Sequence, residues 1–210
     1  MRFFTLFLTV FVLTTAPALG QRLSDQGNFF IGTSVGFSAS QSNLDLSTNG
    51  ESQTTEGPTT VSLGLEPNVG YFVTNRFGLG FSVDFSLQTV DLAGDQALDS
   101  DILIGPMARY YIPAGESSSF FFHLQTGFGT TADNLVIDDE VLDAQTTILK
   151  GGIGPGFTIF STSNIGLEVI ALYNIIQSTS EAESGGETIS AESLTNQFDL
   201  QLGVQFYLDR

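Results

Sequence analysis

Several residue types that build common functional sites are absent or rare in this chain of 210 residues. There is no cysteine and no tryptophan, histidine occurs once, and lysine and arginine together number 6. Without cysteine, the chain has no disulfide, thiolate metal site, catalytic thiol or lipid anchor on an N-terminal cysteine. The one histidine excludes a metal site with two histidine ligands. With 23 acids the net charge is −17, which argues against nucleic acid and against polybasic contacts with anionic lipid.

Long apolar runs are also missing, apart from one near the start. Arg2 precedes an apolar run over 3–13, small residues follow, and Pro17 comes before the end of the segment. A run of about 11 residues is too short to cross a ~30 Å hydrocarbon core as a helix, so this order is typical of a signal peptide rather than a membrane anchor. We predict a signal peptide over 1–20, with cleavage after Gly20 or alternatively after Ala18. Residues 21–210 form one exported domain, and any insertion into a membrane must use strands.

What the chain does have is alternation of apolar and polar residues with a period of two. From Gln197 to Leu208, every even position is apolar, while the odd positions carry glutamine, aspartate, glycine and tyrosine. A strand places these two sets on opposite faces. Eight such segments run over about 28–39, 59–73, 77–89, 102–112, 119–129, 146–160, 164–177 and 197–208. The predicted fold is all-β, an eight-stranded antiparallel up-and-down transmembrane β-barrel.

Side-chain size indicates which face of this barrel points outward. Of the 15 strand glycines, 14 fall on the polar face, with Gly151 as the exception, and 11 of the 15 phenylalanines after residue 20 fall on the apolar face. The interior of an eight-stranded barrel is narrow, so a face crowded with phenylalanine and leucine is too bulky for it. The apolar face therefore points outward into lipid. The alternative is a soluble, lipocalin-like barrel with the apolar face inside.

The predicted connections alternate between short and long. The short ones lie at 74–76, 113–118 and 161–163, and the long ones at about 41–58, 91–101, 130–145 and 178–196. In outer-membrane barrels the short turns are periplasmic, so we expect extracellular long loops and both termini on the periplasmic side. The long loops hold 16 of the 23 acids and no basic residue. These acids are Asp45, Glu51, Glu56, Asp91, Asp95, Asp99, Asp101, Asp133, Asp138, Asp139, Glu140, Asp143, Glu181, Glu183, Glu187 and Glu192.

These acidic loops have two interpretations. The first is a solvated, repulsive surface coat, and a surface interaction with an unknown extracellular partner would take place at these loops. The second is binding of divalent cations, for which Asp138, Asp139, Glu140 and Asp143 are the strongest candidate oxygen ligands, although their spacing matches no calcium-loop pattern.

A smaller set of charged residues is predicted to face the lumen. They are Glu66, Asp84, Arg109, His123, Lys150, Glu168 and Asp199. Counting from the short turns, we predict a lower cluster of Arg109 with Glu168 and His123, and an upper cluster pairing Lys150 with the remaining acids. Buried charges need partners, so this pattern indicates a structural ionic network. We therefore predict no catalytic, cofactor-binding or metal-binding residue.

The glycine-rich run Gly151–Gly156 lacks the Lys-Ser/Thr of a phosphate loop and is interpreted as lumen packing.

Several motifs resemble the outer-membrane β-barrel family, the small barrels similar to the OmpA membrane domain and OmpX. LEPNVGYFVTNRFGLGF (65–81), IGPMARYYIP (104–113), GPGFTIF (154–160) and the terminal LGVQFYL carry this resemblance. It implies residence in a Gram-negative outer membrane, contact with its lipids and lipopolysaccharide, and recognition of the C-terminal strand by the barrel assembly machinery. It implies no shared catalytic site.

Because a closed barrel has no edge strand to host proline, we also expect bulges or broken ladders at Pro67, Pro106 and Pro155.

Together these observations predict a monomeric cell-surface barrel protein of the outer membrane, without a cofactor or enzymatic activity. Its role is structural, or is a surface interaction through the acidic loops. The alternatives are a narrow, porin-like solute or ion channel and a lipid-modifying enzyme that would use His123.

Overall fold

The computed structural model describes residues 23–48, 51–92, 95–131, 135–137, 140–142, 145–161, 164–184 and 187–209. The predicted signal peptide and its cleavage site lie outside these residues. The strands in this part of the chain are β1 (Phe29–Thr48), β2 (Glu51–Thr74), β3 (Phe77–Leu92), β4 (Asp95–Pro113), β5 (Ser118–Thr131), β6 (Leu135–Ile137), β7 (Glu140–Leu142), β8 (Gln145–Phe160), β9 (Ile165–Ser184) and β10 (Glu187–Leu208). No helix among the described residues is long and apolar enough to span a bilayer.

Eight of these strands form one closed barrel. The order around it is β1-β10-β9-β8-β5-β4-β3-β2, and every neighbouring pair is antiparallel. Strands β6 and β7 pair only with each other, in the connection between β5 and β8. The predicted eight-stranded up-and-down barrel is confirmed. Closure leaves no free edge, so the backbone polar groups of the wall can pair within the wall.

The long loops are a point where the prediction was wrong. Five strands, β1, β2, β4, β9 and β10, continue far into the segments expected to be loops, and Asp45 pairs with Thr54 on β2 and with Glu192 on β10. The prediction ended each strand where its apolar face ended. Strand pairing needs only backbone groups, and runs rich in threonine and serine sustain it outside an apolar environment. The β1–β2, β3–β4 and β9–β10 connections are therefore extended hairpins, and we call this the hairpin end of the barrel, opposite the short-turn end.

The three prolines interrupt the barrel wall as expected. The β2–β3 ladder skips Pro67, the β4–β5 ladder skips Pro106, and the β8–β9 ladder skips Pro155, with the same register on both sides of each gap. Each proline stays in register with the strand on its other side. The ladders are thus broken without a bulge, because proline lacks the N–H needed for a ladder bond.

The outer surface of the barrel is an apolar belt. On β10 the outward side chains from Phe198 to Leu208 are apolar and exposed, with Leu202 58% exposed, whereas Glu192 further along the same face is polar. Ten residues of a strand tilted by roughly 40° rise about 25 Å, the height of the apolar band on transmembrane barrels. The lipocalin-like alternative is wrong, since the bulky apolar face lies outside.

Candidate functional site

The lower half of the lumen, at the short-turn end, is filled by aromatic side chains. We call this group the aromatic plug; it consists of Phe30, Phe72, Tyr111, Phe121, Phe160 and Tyr207, all buried. Neighbouring rings contact with centroids 5.1 Å apart for Tyr111 and Phe121 and 5.4 Å apart for Phe160 and Tyr207. The sequence prediction did not foresee the plug. The signal was present in the four phenylalanines that fall on the otherwise polar face.

The segment before β1 covers the short-turn end of the barrel. Leu23 is buried and belongs to the same apolar cluster as the plug. The backbone carbonyl of Ser24 accepts a hydrogen bond from the Arg76 N–H at 2.6 Å, and the Gly27 N–H donates to the Phe72 carbonyl at 3.0 Å. Gly27 has a φ of 102°, a conformation that glycine adopts at low cost. The plug is therefore closed from below by the chain itself.

Directly above the plug lies a buried ionic network centred on Arg109. Its guanidinium Nη1 is 2.8 Å from Glu168 Oε2, and the other carboxylate oxygen accepts a hydrogen bond from the Tyr207 hydroxyl at 3.0 Å. The Arg109 Cζ also lies 5.7 Å from the ring centroid of Phe30 and 5.1 Å from that of Phe121. The arginine is thus held by a carboxylate and by two aromatic faces. The predicted pairing of Arg109 with Glu168 is confirmed.

His123 joins this network through both ring nitrogens. Arg109 Nε donates to His123 Nδ1 at 3.0 Å, and His123 Nε2 is 2.8 Å from Gln125 Oε1. An arginine can only donate, so Nδ1 accepts, and the ring proton on Nε2 donates to the amide oxygen. The structure brings His123 together with Arg109 as predicted, as a neutral ring, and no hydroxyl of the described residues is hydrogen-bonded to either nitrogen.

The upper half of the lumen carries a second ionic network around Lys150. The Lys150 Nζ lies 2.6 Å from Asp84 Oδ2 and 3.5 Å from Asp199 Oδ2. Glu66 is buried beside them, and its carboxylate accepts a hydrogen bond from Gln201 Nε2 at 3.0 Å. The predicted upper cluster is confirmed for Asp84 and Asp199, whereas Glu66 bonds to an amide.

Asp101 is a lumenal acid that the sequence prediction placed wrongly in a loop. It lies on β4, is 7% exposed, and accepts a hydrogen bond from the Ser86 hydroxyl at 3.3 Å. The period-two register of β4, extended by one residue past Ile102, would have placed this side chain on the inward face. Among the other predicted loop acids only the side chain of Glu192 is described, and it is exposed. The candidate cation ligands Asp138, Asp139, Glu140 and Asp143 have side chains outside the described residues.

Above Lys150 the lumen opens into a polar cavity of about 250 Å³, which we call the upper cavity. Its lining includes Glu66, Asp84, Asp101, Lys150 and Asp199, together with serine and threonine hydroxyls from β1, β9 and β10. The cavity extends toward the hairpin end, and the Arg109 network and the aromatic plug lie beneath it. The lumen therefore has the form of a vestibule with a filled base.

The glycine-rich run on β8 packs against the lumen, as predicted. An added Cβ at Gly156 would overlap the ring of Phe121, and one at Gly152 would overlap the Asn174 amide. Gly151 points outward, where a Cβ would meet no atom within 4 Å. Gly152 and Gly156 therefore make room for lumenal side chains and for the plug, because a residue with a Cβ does not fit at either position.

Solved structures of small outer-membrane barrels share this fold. The outer membrane protein OprG from Pseudomonas aeruginosa matches with a TM-score of 0.61 and 13% identity, over 89% of this chain and 98% of OprG. The outer membrane protein AlkL, solved in lipid bilayers, matches with a TM-score of 0.53 and 14% identity, over 95% of this chain and 96% of AlkL. No protein-family model and no curated protein matches the chain. The predicted resemblance to small eight-stranded outer-membrane barrels is confirmed at the level of fold.

Proposed function

We propose that the protein is a monomeric integral barrel of the outer membrane with a structural or surface-interaction role, and that it is neither a channel nor an enzyme. The observation that carries the proposal is the filled lower lumen. The aromatic plug, the Arg109 network and the segment over 23–28 occupy the section that a solute would have to cross. A barrel of eight strands has little interior beyond its own side chains.

The position of His123 supports a protein without enzymatic activity. A serine hydrolase needs a hydroxyl nucleophile bonded to the histidine. Here Arg109 and Gln125 occupy the two ring nitrogens. Among the described residues, no group of three histidine or acidic side chains could hold a metal ion.

The exposed apolar belt supports a place in the outer membrane, in contact with its lipids and lipopolysaccharide. Strand β10 pairs with both β1 and β9 and closes the barrel, which fits delivery by an assembly machinery that recognises the last strand. The acidic hairpins would face outside and the short turns the periplasm. The concentration of acids at the hairpin end supports a surface interaction governed by charge.

Single-channel recording in planar bilayers tests the filled lumen. We expect no conductance steps from the wild-type protein, because the plug leaves no aqueous path. The matched control is the double variant Phe72→Ala and Tyr207→Ala, which removes two plug rings and should raise the ionic leak. Regular conductance steps from the wild type, equal to those of the hollowed variant, would contradict the proposal.

Electrophoretic mobility of intact cells tests the charge role and the orientation together. Replacing Glu183, Glu187 and Glu192 with glutamine should make expressing cells migrate less toward the anode, because three outer-surface charges are lost per molecule. The matched control replaces the exposed acids at the short-turn end, Asp25, Glu116 and Asp209, with their amides. This control should leave the mobility unchanged. If the control variant changes the mobility and the hairpin variant does not, the short turns face outside and the proposed orientation is wrong.

A further inference from the structure

The barrel wall is closed through the apolar belt, but at the hairpin end it is split between β2 and β3. Toward this end, the last described pair of the β2–β3 ladder is Val61 with Thr89. Above that pair β2 continues to Glu51 along β1, and β3 continues to Leu92 along β4. Each of the two strands is therefore paired on one side only. We call the stretch of β2 over 51–56, which pairs with β1 without interruption, the open edge.

The backbone of the open edge presents donors and acceptors that no described strand pairs with. Successive residues of an antiparallel strand point their N–H and C=O groups at alternate neighbours. The Asn28 carbonyl accepts a hydrogen bond from the Phe72 N–H of β2, and the β1–β10 register has no shift along β1. Even-numbered residues of β1 therefore point to β2, and odd-numbered ones point to β10. Because Thr54 lies opposite Asp45, the Thr54 backbone groups point away from β1 and into the split.

The sequence of the open edge is compatible with the addition of a strand. The run ESQTTE contains no glycine, proline or lysine, and its threonines are favourable in strands. Edge strands are commonly protected from further pairing by lysine, proline or a bulge. Gly57 and Pro58 interrupt β2 only below this run, where the β1–β2 register shifts. The open edge itself carries none of these protections.

The charges on both sides of the split select the strand that fits. Glu51 and Glu56 lie on the open edge, and Asp91, Asp95 and Asp99 lie on the β3–β4 hairpin across the split. Neither 51–56 nor 90–100 contains a lysine or arginine. A second copy of the chain would bring the same acids into the split, and like charges on adjacent strands are destabilising. A strand with basic residues meets opposite charges on both sides.

We propose that an extended polypeptide segment rich in lysine or arginine adds to the open edge of β2 as a further strand. Main-chain hydrogen bonds to β2 supply the affinity, and the acids on both sides of the split select the charge of the partner. The inference rests on the proposed surface role and gives that role a site and a class of partner.

Fluorescence anisotropy of a labelled peptide, measured with the full chain in detergent micelles, tests the proposal. The probe is an octapeptide of four Thr-Lys repeats. One control peptide has the same sequence with N-methyl groups on its four central residues, which keeps every charge but removes N–H donors from both edges of the peptide. A second control replaces every lysine with glutamine. We expect the probe to bind and each control to bind about tenfold more weakly.

A proline in the open edge separates strand addition from attraction between charges. Thr54→Pro removes the N–H that points into the split and places the proline ring there, while the pairing with β1 does not use this N–H. The variant should bind the probe about tenfold more weakly. The matched control Thr54→Val keeps the N–H and should leave the affinity unchanged. Heat-modifiable gel mobility confirms that both variants are folded.

A pair of double variants tests the selection by charge. Replacing Glu51 and Glu56 with glutamine should weaken binding of the probe about fivefold, the effect of losing two exposed ion pairs. The matched control makes the same change at Glu187 and Glu192 on β10, which β1 separates from the open edge. It should change the affinity by about twofold or less, because solvent screens the more distant charges.

Several outcomes would overturn the proposal. They are equal binding of the N-methylated peptide, full binding by Thr54→Pro, and equal weakening by the two double variants. Light scattering that shows wild-type dimers, which Thr54→Pro abolishes, would also overturn it, because the open edge would then pair with a second copy. If the probe does not bind but cell mobility still changes with the hairpin variant, strand addition is wrong and the surface role is retained.

Discussion

Arg109 shows how a single buried charge is made compatible with a barrel interior. The guanidinium is 1% exposed, pairs with Glu168 and lies against two aromatic rings. Each of these contacts replaces water that the arginine loses on burial. Glu168 in turn depends on Arg109, because its remaining partner is the Tyr207 hydroxyl.

Replacing Arg109 with methionine should therefore destabilise the barrel strongly. The variant leaves the Glu168 carboxylate buried without its cation, and breaking such a pair costs about 3–5 kcal/mol. Urea unfolding in micelles measures the loss. The double variant Arg109→Met and Glu168→Gln should recover part of the stability, because no uncompensated charge remains. Arg76→Met, at the short turn, should stay within about 1 kcal/mol of the wild type. An Arg109→Met barrel as stable as the wild type would show that the network is not structural.

The strands beyond the apolar belt are the elements that the sequence pattern could not predict. Ser47 pairs with Ser190 on β10 and with Ser52 on β2, although the run over 51–56 is polar at every position. Period-two alternation is visible only where one face meets lipid, since only there must one face be apolar. Outside that belt the backbone bonds stay the same and the side-chain signal disappears.

Amide hydrogen exchange distinguishes paired hairpins from loops. We expect the amides of Leu44 and Leu46 to exchange slowly, because ladder bonds must open before exchange can occur. The short connection over 115–117, which lies between strands, supplies the comparison and should exchange rapidly. If the Leu44 amide exchanges as fast as the amides of that connection, the segment around Leu44 is a loop, as the sequence predicted.

The lumen shows the same division between what a pattern predicts and what it does not. Alternation alone aimed Arg109, His123 and Glu168 inward and placed them at one height. It could not predict that Phe30 lies against the arginine, because β1 and β4 are not neighbours and meet only across the closed lumen. Asp101 was assigned to a loop for the same reason that the hairpins were missed. Its strand continues past the last apolar residue of the segment.

At the scale of the whole molecule, the net charge of −17 is compatible with membrane insertion because charges and apolar groups are kept apart. The outward face of the middle section is apolar. The described charges in that section point inward and pair or hydrogen-bond, as Arg109 and Lys150 do. The surplus of acids lies toward the hairpin end. Such an arrangement needs a surrounding medium that is apolar in the middle and aqueous at both ends.

The belt makes a depth-dependent prediction that only a membrane-spanning barrel satisfies. Leu202 lies near the middle of the outward face of β10, and Leu194 lies on the same face of the same strand, eight positions nearer the hairpin end; both are exposed. Leu202→Arg should cost about 2–4 kcal/mol in lipid vesicles, whereas Leu194→Arg should cost about 0–1 kcal/mol, because an arginine is least tolerated at the bilayer midplane. Urea unfolding in vesicles measures both. A soluble barrel would accept either exposed arginine equally, so equal small costs would remove the argument for a membrane-spanning belt.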